Sequence, residues 1–213
     1  MSRSDVEKGN GVIASHKRVI VLSAALFFAS GFAALLYQVA WQRALFGWFG
    51  VDLDSVSAIV SVFMLGLGIG AMIGGWLADR FQYRRILIFS LIELTIGAFG
   101  FFSLGIIDDI GDLIAADALP RLVAITFIFF IVPTCAMGAT LPVLVTELVD
   151  LTHNVGFSTG ALYFINTLGA ATGALAGGLV LLSFYGLNGL VTIATILNFL
   201  IAVVAYMSVR RAL

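Results

Sequence analysis

The chain has 213 residues, of which 61% are hydrophobic and 11% charged, with a formal net charge of −1. A soluble domain carries about 25% charged residues, so this chain cannot cover a water-facing surface and its apolar excess must face lipid. The balanced charge, with no basic stripe to neutralise phosphates, excludes nucleic acid, and the single Cys135 excludes an internal disulfide.

Residues 1–18 are polar, end in His16-Lys17-Arg18, and are expected to form a cytoplasmic tail. They lack the short apolar core and small-residue cleavage site of a signal peptide, so the first apolar run is kept as a real span. The remainder, 19–213, is expected to be one transmembrane domain. Six apolar runs follow at 19–40, 55–78, 85–107, 121–148, 157–183 and 187–208. Each is near the roughly 20 residues that cross a bilayer as helix. The expected fold is therefore all-α, a polytopic membrane protein with six transmembrane helices. Trp41, Trp48, Trp76, Tyr83 and Tyr206 fall at run ends, where rings favour the headgroup level. Residues 41–53 are too polar for a span and too aromatic for a plain loop, which predicts a short interfacial helix. A second such turn is expected within 108–120, before Pro120.

Orientation follows from Lys and Arg. With the N-terminus inside, the inner side carries Arg3, Lys8, Lys17, Arg18, Arg80, Arg84, Arg85, Arg210 and Arg211, and the outer side only Arg43 and Arg121. This bias places both termini in the cytoplasm of a cell with a bacterial inner membrane. The outer loops are acidic, through Asp52, Asp54, Asp108, Asp109, Asp112 and Asp117. Such charge either raises cation concentration at an outer mouth or is ordinary solvated loop charge.

Gly66, Gly70, Gly74 and Gly75 recur at one constant offset as Gly169, Gly173, Gly177 and Gly178. Glycines four apart share a helix face and admit a close neighbour. Their placement in the second and fifth spans fits two three-helix units in tandem. Three being odd, the second unit is inverted, a 3+3 plan common in transporters. The run Gly66-Leu67-Gly68-Ile69-Gly70 is not a dinucleotide fingerprint, since no strand precedes it and no phosphate pocket is polar.

Glu93 lies eight residues beyond Arg85, about 12 Å deep at helical rise. An acid there costs on the order of 2.5–3.5 kcal/mol and should face the bundle interior. It is either a proton or cation site, or a protonated acid bonding a neighbouring helix. Pro133 and Pro142 interrupt the fourth span, each removing a backbone donor. Thr134 and Thr140 are expected to satisfy the freed carbonyls. A broken helix points to a binding site in transporters, though a packing kink is the plainer reading. Asn166, Thr167 and Asn198 are expected to bond between helices. Tyr37, Gln38, Gln42 and Arg43 cluster at the outer end of the first span, as a vestibule or as a polar cap. The candidate substrate site is thus Glu93, Pro133, Thr134, Thr140, Asn166, Tyr37 and Gln38. His153 has no metal-ligand company, so neither a metal nor another cofactor is expected.

Gly75-Trp76-Leu77-Ala78-Asp79-Arg80-Phe81, followed by Arg84-Arg85, resembles the signature loop between spans two and three of the major facilitator superfamily. The resemblance implies that the aspartate and arginines latch helix ends on the cytoplasmic face, although Gln82-Tyr83 replace the usual glycine. The chain more closely resembles the membrane domain of the bacterial fused facilitator-like/spermidine synthase proteins. The residues that carry this are S-G-F-A-A-L-L-Y-Q-V-A-W-Q-R (30–43), F-M-L-G-L-G-I-G-A-M-I-G-G-W-L-A-D-R (63–80), P-T-C-A-M-G-A-T-L-P (133–142) and G-A-L-Y-F-I-N-T-L-G-A (160–170). Gln38 stands where that family has an acid. No synthase-like domain follows before Leu213, so no enzyme activity is expected. What the resemblance implies is a transporter of polyamine-like cations, working as a homodimer. The alternatives are a membrane anchor for a separate soluble synthase-like partner on the cytoplasmic face, or a scaffold for another membrane complex.

Overall fold

The structure is a computed structural model that describes residues 3–49, 53–114 and 119–212. Within them the chain is helical almost throughout. Helix α1 covers Arg3–Phe49, α2 Leu53–Arg80, α3 Arg85–Ile114, α4 Leu119–Thr152, α5 Val155–Ala176 and α6 Leu182–Ala212. A 3-10 turn at Gln82–Arg84 joins α2 to α3, and a π-helical stretch at Gly177–Leu181 joins α5 to α6. Five segments are long and apolar enough to cross a membrane: Lys17–Gly47, Ile59–Arg80, Gln82–Asp109, Ala124–Thr152 and Val155–Ser208. The last is 54 residues long and contains Gly186, whose φ of 63° and ψ of −170° leave the helical region. Glycine tolerates that positive φ because it has no Cβ.

Four sequence expectations change. Residues 41–49 form no separate interfacial helix, because α1 runs unbroken to Phe49; 50–52 lie outside the described residues. Trp41 is fully buried rather than at the headgroup level. It stacks on Tyr37 at 5.0 Å and donates from Nε1 to Ser103 Oγ at 2.8 Å. An indole whose N–H finds a buried partner sits well in a core. The fourth span is not broken, since α4 continues through both Pro133 and Pro142. The threonines do not take up the carbonyls the prolines free. Thr134 donates to Phe130 O and Ile131 O, and Thr140 to Met137 O, whereas the freed acceptors belong to residues four before each proline. Within 108–120, residues to Ile114 extend α3, and 115–118 lie outside the described residues. The side chains of Trp48, Asp52, Asp54, Asp112, Asp117 and Arg121, like those of the tail before Lys17, also lie outside them.

Helix α2 packs on α4, α1 on α5 and α6, and α3 on α4 and α6. Glycine faces set the closest crossings. A Cβ on Gly70 would stand 2.0 Å from Cys135 O, and one on Gly74 2.4 Å from Ala139 O. A Cβ on Gly173 would stand 2.4 Å from Phe32 O, and one on Gly177 2.8 Å from the Leu36 side chain. The expected contact of these faces with neighbouring helices is what the structure has. With lipid as apolar as leucine, such contact replaces the hydrophobic effect as the force holding spans together.

The core forms two apolar clusters. One gathers Ala33, Trp41, Phe63, Ile96, Phe130, Met137 and Ala194. The other gathers Phe27, Phe89, Val143, Leu144, Ile201 and Ala205. Between them, one turn from each cluster along its own helix, lie Ser30 on α1, Glu93 on α3, Thr140 on α4 and Asn198 on α6. All four are buried.

Candidate functional site

Glu93 is 0% exposed. Its Oε1 accepts from Ser30 Oγ at 2.6 Å, and its Oε2 accepts from Asn198 Nδ2. The Arg85–Asp150 ion pair does not involve it. Helices α1 and α6 thus supply both donors to a carboxyl that α3 places between them. The layer is polar because a buried carboxyl without hydrogen bonds costs far more than one with them.

Beside this layer is a cavity of about 130 Å³. Its polar lining is Ser30, Gln38, Thr140, Asn166 and Asn198, and its apolar wall includes Phe63, Leu67, Ile96 and Met137. Asn166 Nδ2 also donates to Phe27 O at 3.1 Å, which ties α5 to α1. The Oδ1 of Asn198, a residue only 1% exposed, is the one buried side-chain oxygen or nitrogen among the described residues without a partner.

Of the residues singled out in the sequence, Gln38, Thr140 and Asn166 line the cavity, and Glu93 stands behind two of its walls. Tyr37, Pro133 and Thr134 lie outside it. Tyr37 is fully buried, with its hydroxyl 3.0 Å from Thr195 Oγ1. Thr134 packs where α4 crosses Gly66. Ser30 and Asn198, the two donors to Glu93, were not among the singled-out site residues. They are 63 and 105 positions from it, and no local pattern connects residues so distant. The one available signal was Asn198 itself, an amide inside an apolar run.

The signature turn forms a second charged group. Arg85 is 6% exposed. Its Nε donates to Ala78 O at 3.1 Å, and Nη1 donates to Thr146 O at 3.3 Å and pairs with Asp150. One guanidinium therefore ties the ends of α2 and α4 to the start of α3, and its acceptor on α2, Ala78 O, lies in the last turn, where carbonyls have no helical partner. Asp79, the acid expected in the latch, is exposed. The acid that pairs with Arg85 is Asp150 from α4.

Long apolar helices around a buried polar layer define an integral membrane protein of the polytopic helical class. The sequence profile of the Major Facilitator Superfamily matches residues 19–212, and the chain belongs to that family. The family is one of membrane transporters of small molecules rather than of enzymes. Neither the comparison with curated proteins nor that with solved structures finds a match.

Proposed function

We propose that this chain is a six-span, inner-membrane transporter unit that carries polyamine-like cations through a site built on Glu93. The observation that carries this reading is the polar layer itself: a wholly buried carboxyl with two donors, beside a cavity, between two apolar clusters. A carboxyl in hydrocarbon is expensive, and lining a pathway is the common reason for one. Gln38, Thr140 and Asn166 offer the cavity's acceptors to an ammonium group. A cavity of about 130 Å³ compares with the roughly 150 Å³ that holds benzene. It therefore suits one ammonium with a short alkyl stem, the end of a polyamine rather than its whole length.

The six-span reading takes Val155–Ser208 as two spans meeting at Gly186. Support for a 3+3 inverted repeat comes from the glycine crossings. Gly70 and Gly173 stand 103 positions apart, and so do their partners Phe32 and Cys135. Leu36 and Ala139, the partners of Gly177 and Gly74, keep the same offset. A homodimer is supported by the opposite faces of the same helices. Gly68 and Gly75 on α2, Gly160 on α5 and Gly178 in the π-helical stretch after it face open space, as small residues do where another helix can approach. The second reading, an anchor for a soluble synthase-like partner of the fused family, is favoured by one feature. Tyr83 in the signature turn is 100% exposed and Phe81 is exposed beside it.

Purified protein in proteoliposomes is expected to take up radiolabelled putrescine well above protein-free vesicles. Uptake equal to the protein-free control removes the cation reading and leaves the anchor. Topology is tested separately. Reporter fusions at Leu213 are expected to report the cytoplasm, and fusions within 108–118 the periplasm. A periplasmic Leu213 overturns the six-span count together with the inverted repeat.

A further inference from the structure

A second cavity, of about 390 Å³, opens at the end of the bundle that carries the signature turn. It shares no lining residue with the cavity beside Glu93. Helices α1, α3, α4 and α6 all border it, and apolar side chains such as Leu22, Leu26, Ile86 and Phe89 form much of its wall. Two of its lining residues, Phe89 and Leu144, are almost wholly buried. The space therefore reaches into the bundle rather than lying on its lipid-facing side.

Two polar side chains border this space without partners of their own. Ser23 on α1 is 7% exposed, and its hydroxyl makes no hydrogen bond among the described residues. A helical hydroxyl in an apolar setting usually bonds the carbonyl four residues back, as Thr146 and Thr152 do on α4. Ser23 does not. Its oxygen is not sealed off, and the space it borders is this cavity. Glu147 on α4 is half-buried, and its carboxyl makes neither a hydrogen bond nor an ion pair among the described residues. The neighbouring cation, Arg85, is already engaged with Ala78 O, Thr146 O and Asp150. Arg85 brings one positive charge to the lining, and Asp150 with Glu147 two negative ones. One negative charge is left without a counter-charge. Buried polar groups of this kind call for a partner.

We propose that this cavity binds a primary amine carried on an apolar body, an arylalkyl ammonium of about indole size. An ammonium brings one positive charge and three donors. Glu147 answers the charge and accepts one N–H, and Ser23 Oγ accepts another. The apolar wall takes the body of the ligand, the division of labour usual in small-molecule sites. The volume, about 390 Å³, exceeds the roughly 150 Å³ that holds benzene, so a fused ring with a short stem fits. A polyamine does not suit it, because a second ammonium would lie against the apolar wall with no counter-charge. On the topology proposed above this end faces the cytoplasm, which makes the ligand a cytosolic amine. The site does not depend on the reading of Glu93.

Tryptamine is the probe. Equilibrium dialysis of the radiolabelled amine against the purified protein in neutral detergent is expected to show saturable binding. Glu147→Gln should weaken it at least about tenfold, since the ammonium loses its charged partner. Ser23→Ala should weaken it severalfold, through one lost hydrogen bond. Glu93→Gln, in the other cavity, should bind tryptamine as wild type does. Tryptophol has the same body with a hydroxyl in place of the ammonium, and it should bind wild type at least about tenfold more weakly. That comparison decides the matter should Glu147→Gln fail to fold. No saturable binding by wild type overturns the proposal. So does unchanged binding by Glu147→Gln or Ser23→Ala, or tryptophol binding as tightly as tryptamine. Loss of binding in Glu93→Gln places the amine in the other cavity, which overturns this site and leaves the transporter reading standing.

Discussion

Replacing Gly173 with Leu is expected to abolish folding or leave the protein aggregated in detergent. The Cβ alone would stand 2.4 Å from Phe32 O and 2.9 Å from Phe32 Cα. Both are backbone atoms of α1, which no rotamer change can move. Helices α1 and α5 must separate, and every contact along the crossing weakens with them. Overpacking a core with a few methylenes costs about 1–3 kcal/mol where side chains can adjust. Here the obstacle is main chain, so the cost should exceed that range. Gly105 supplies the control. It lies in the interior of α3 with nothing within 4 Å of a Cβ. Gly105→Ala should be neutral or stabilising by up to about 1 kcal/mol, because alanine loses less backbone entropy than glycine. Thermal unfolding in detergent, followed by loss of the monodisperse peak, measures both. A folded, fully stable Gly173→Leu would mean that α1 and α5 do not cross at this face.

The second large effect is on binding. Glu93→Gln should remain folded and lose putrescine uptake. Glutamine keeps the shape of the side chain. Its carbonyl can accept from Ser30, and its amide can donate to Asn198 once that amide turns over. The cation loses its counter-charge in a desolvated site, which costs on the order of 100-fold in affinity. Glu93→Leu differs in kind. It strands the Asn198 amide with neither end paired, so it should be less stable than Glu93→Gln by about 1–3 kcal/mol. Uptake and melting measured on both variants separate the two roles. Equal putrescine uptake by wild type and Glu93→Gln removes Glu93 from the transport site.

Much of this was legible one residue at a time. A chain with 11% charge has no other place than lipid, because uncovered apolar surface in water costs free energy in proportion to its area. Apolar run lengths set by bilayer thickness located the first four apolar segments, while the fifth and sixth expected spans fall within one 54-residue segment, Val155–Ser208. Glycine spacing marked the faces of α2 and α5 that meet neighbours, since a face without side chains is useful chiefly where a backbone comes close. Glu93 stood out through its cost alone.

Other features depended on partners that no local pattern names. Trp41 read as an interfacial ring by its place at a run end, yet α3 supplies Ser103 to its N–H and the residue is core. The prolines read as breaks, yet α4 carries on through both, with packing on α2 and α3 along its length. Asp79 read as the latch acid, yet Asp150, sixty-five residues beyond Arg85, forms the pair.

By itself, then, the sequence determined that the protein lies in a membrane, roughly where it spans, and that an acid is buried in it. Those properties follow from the transfer of single side chains and single helices between water and lipid. Only the tertiary structure decided that Ser30 and Asn198 hold that acid, that a cavity opens beside it, and that one amide oxygen there stays unpaired. Those depend on which helix faces meet. The bilayer leaves that choice open, because it solvates every apolar face about equally well and only close packing and interhelical hydrogen bonds distinguish one pairing from another.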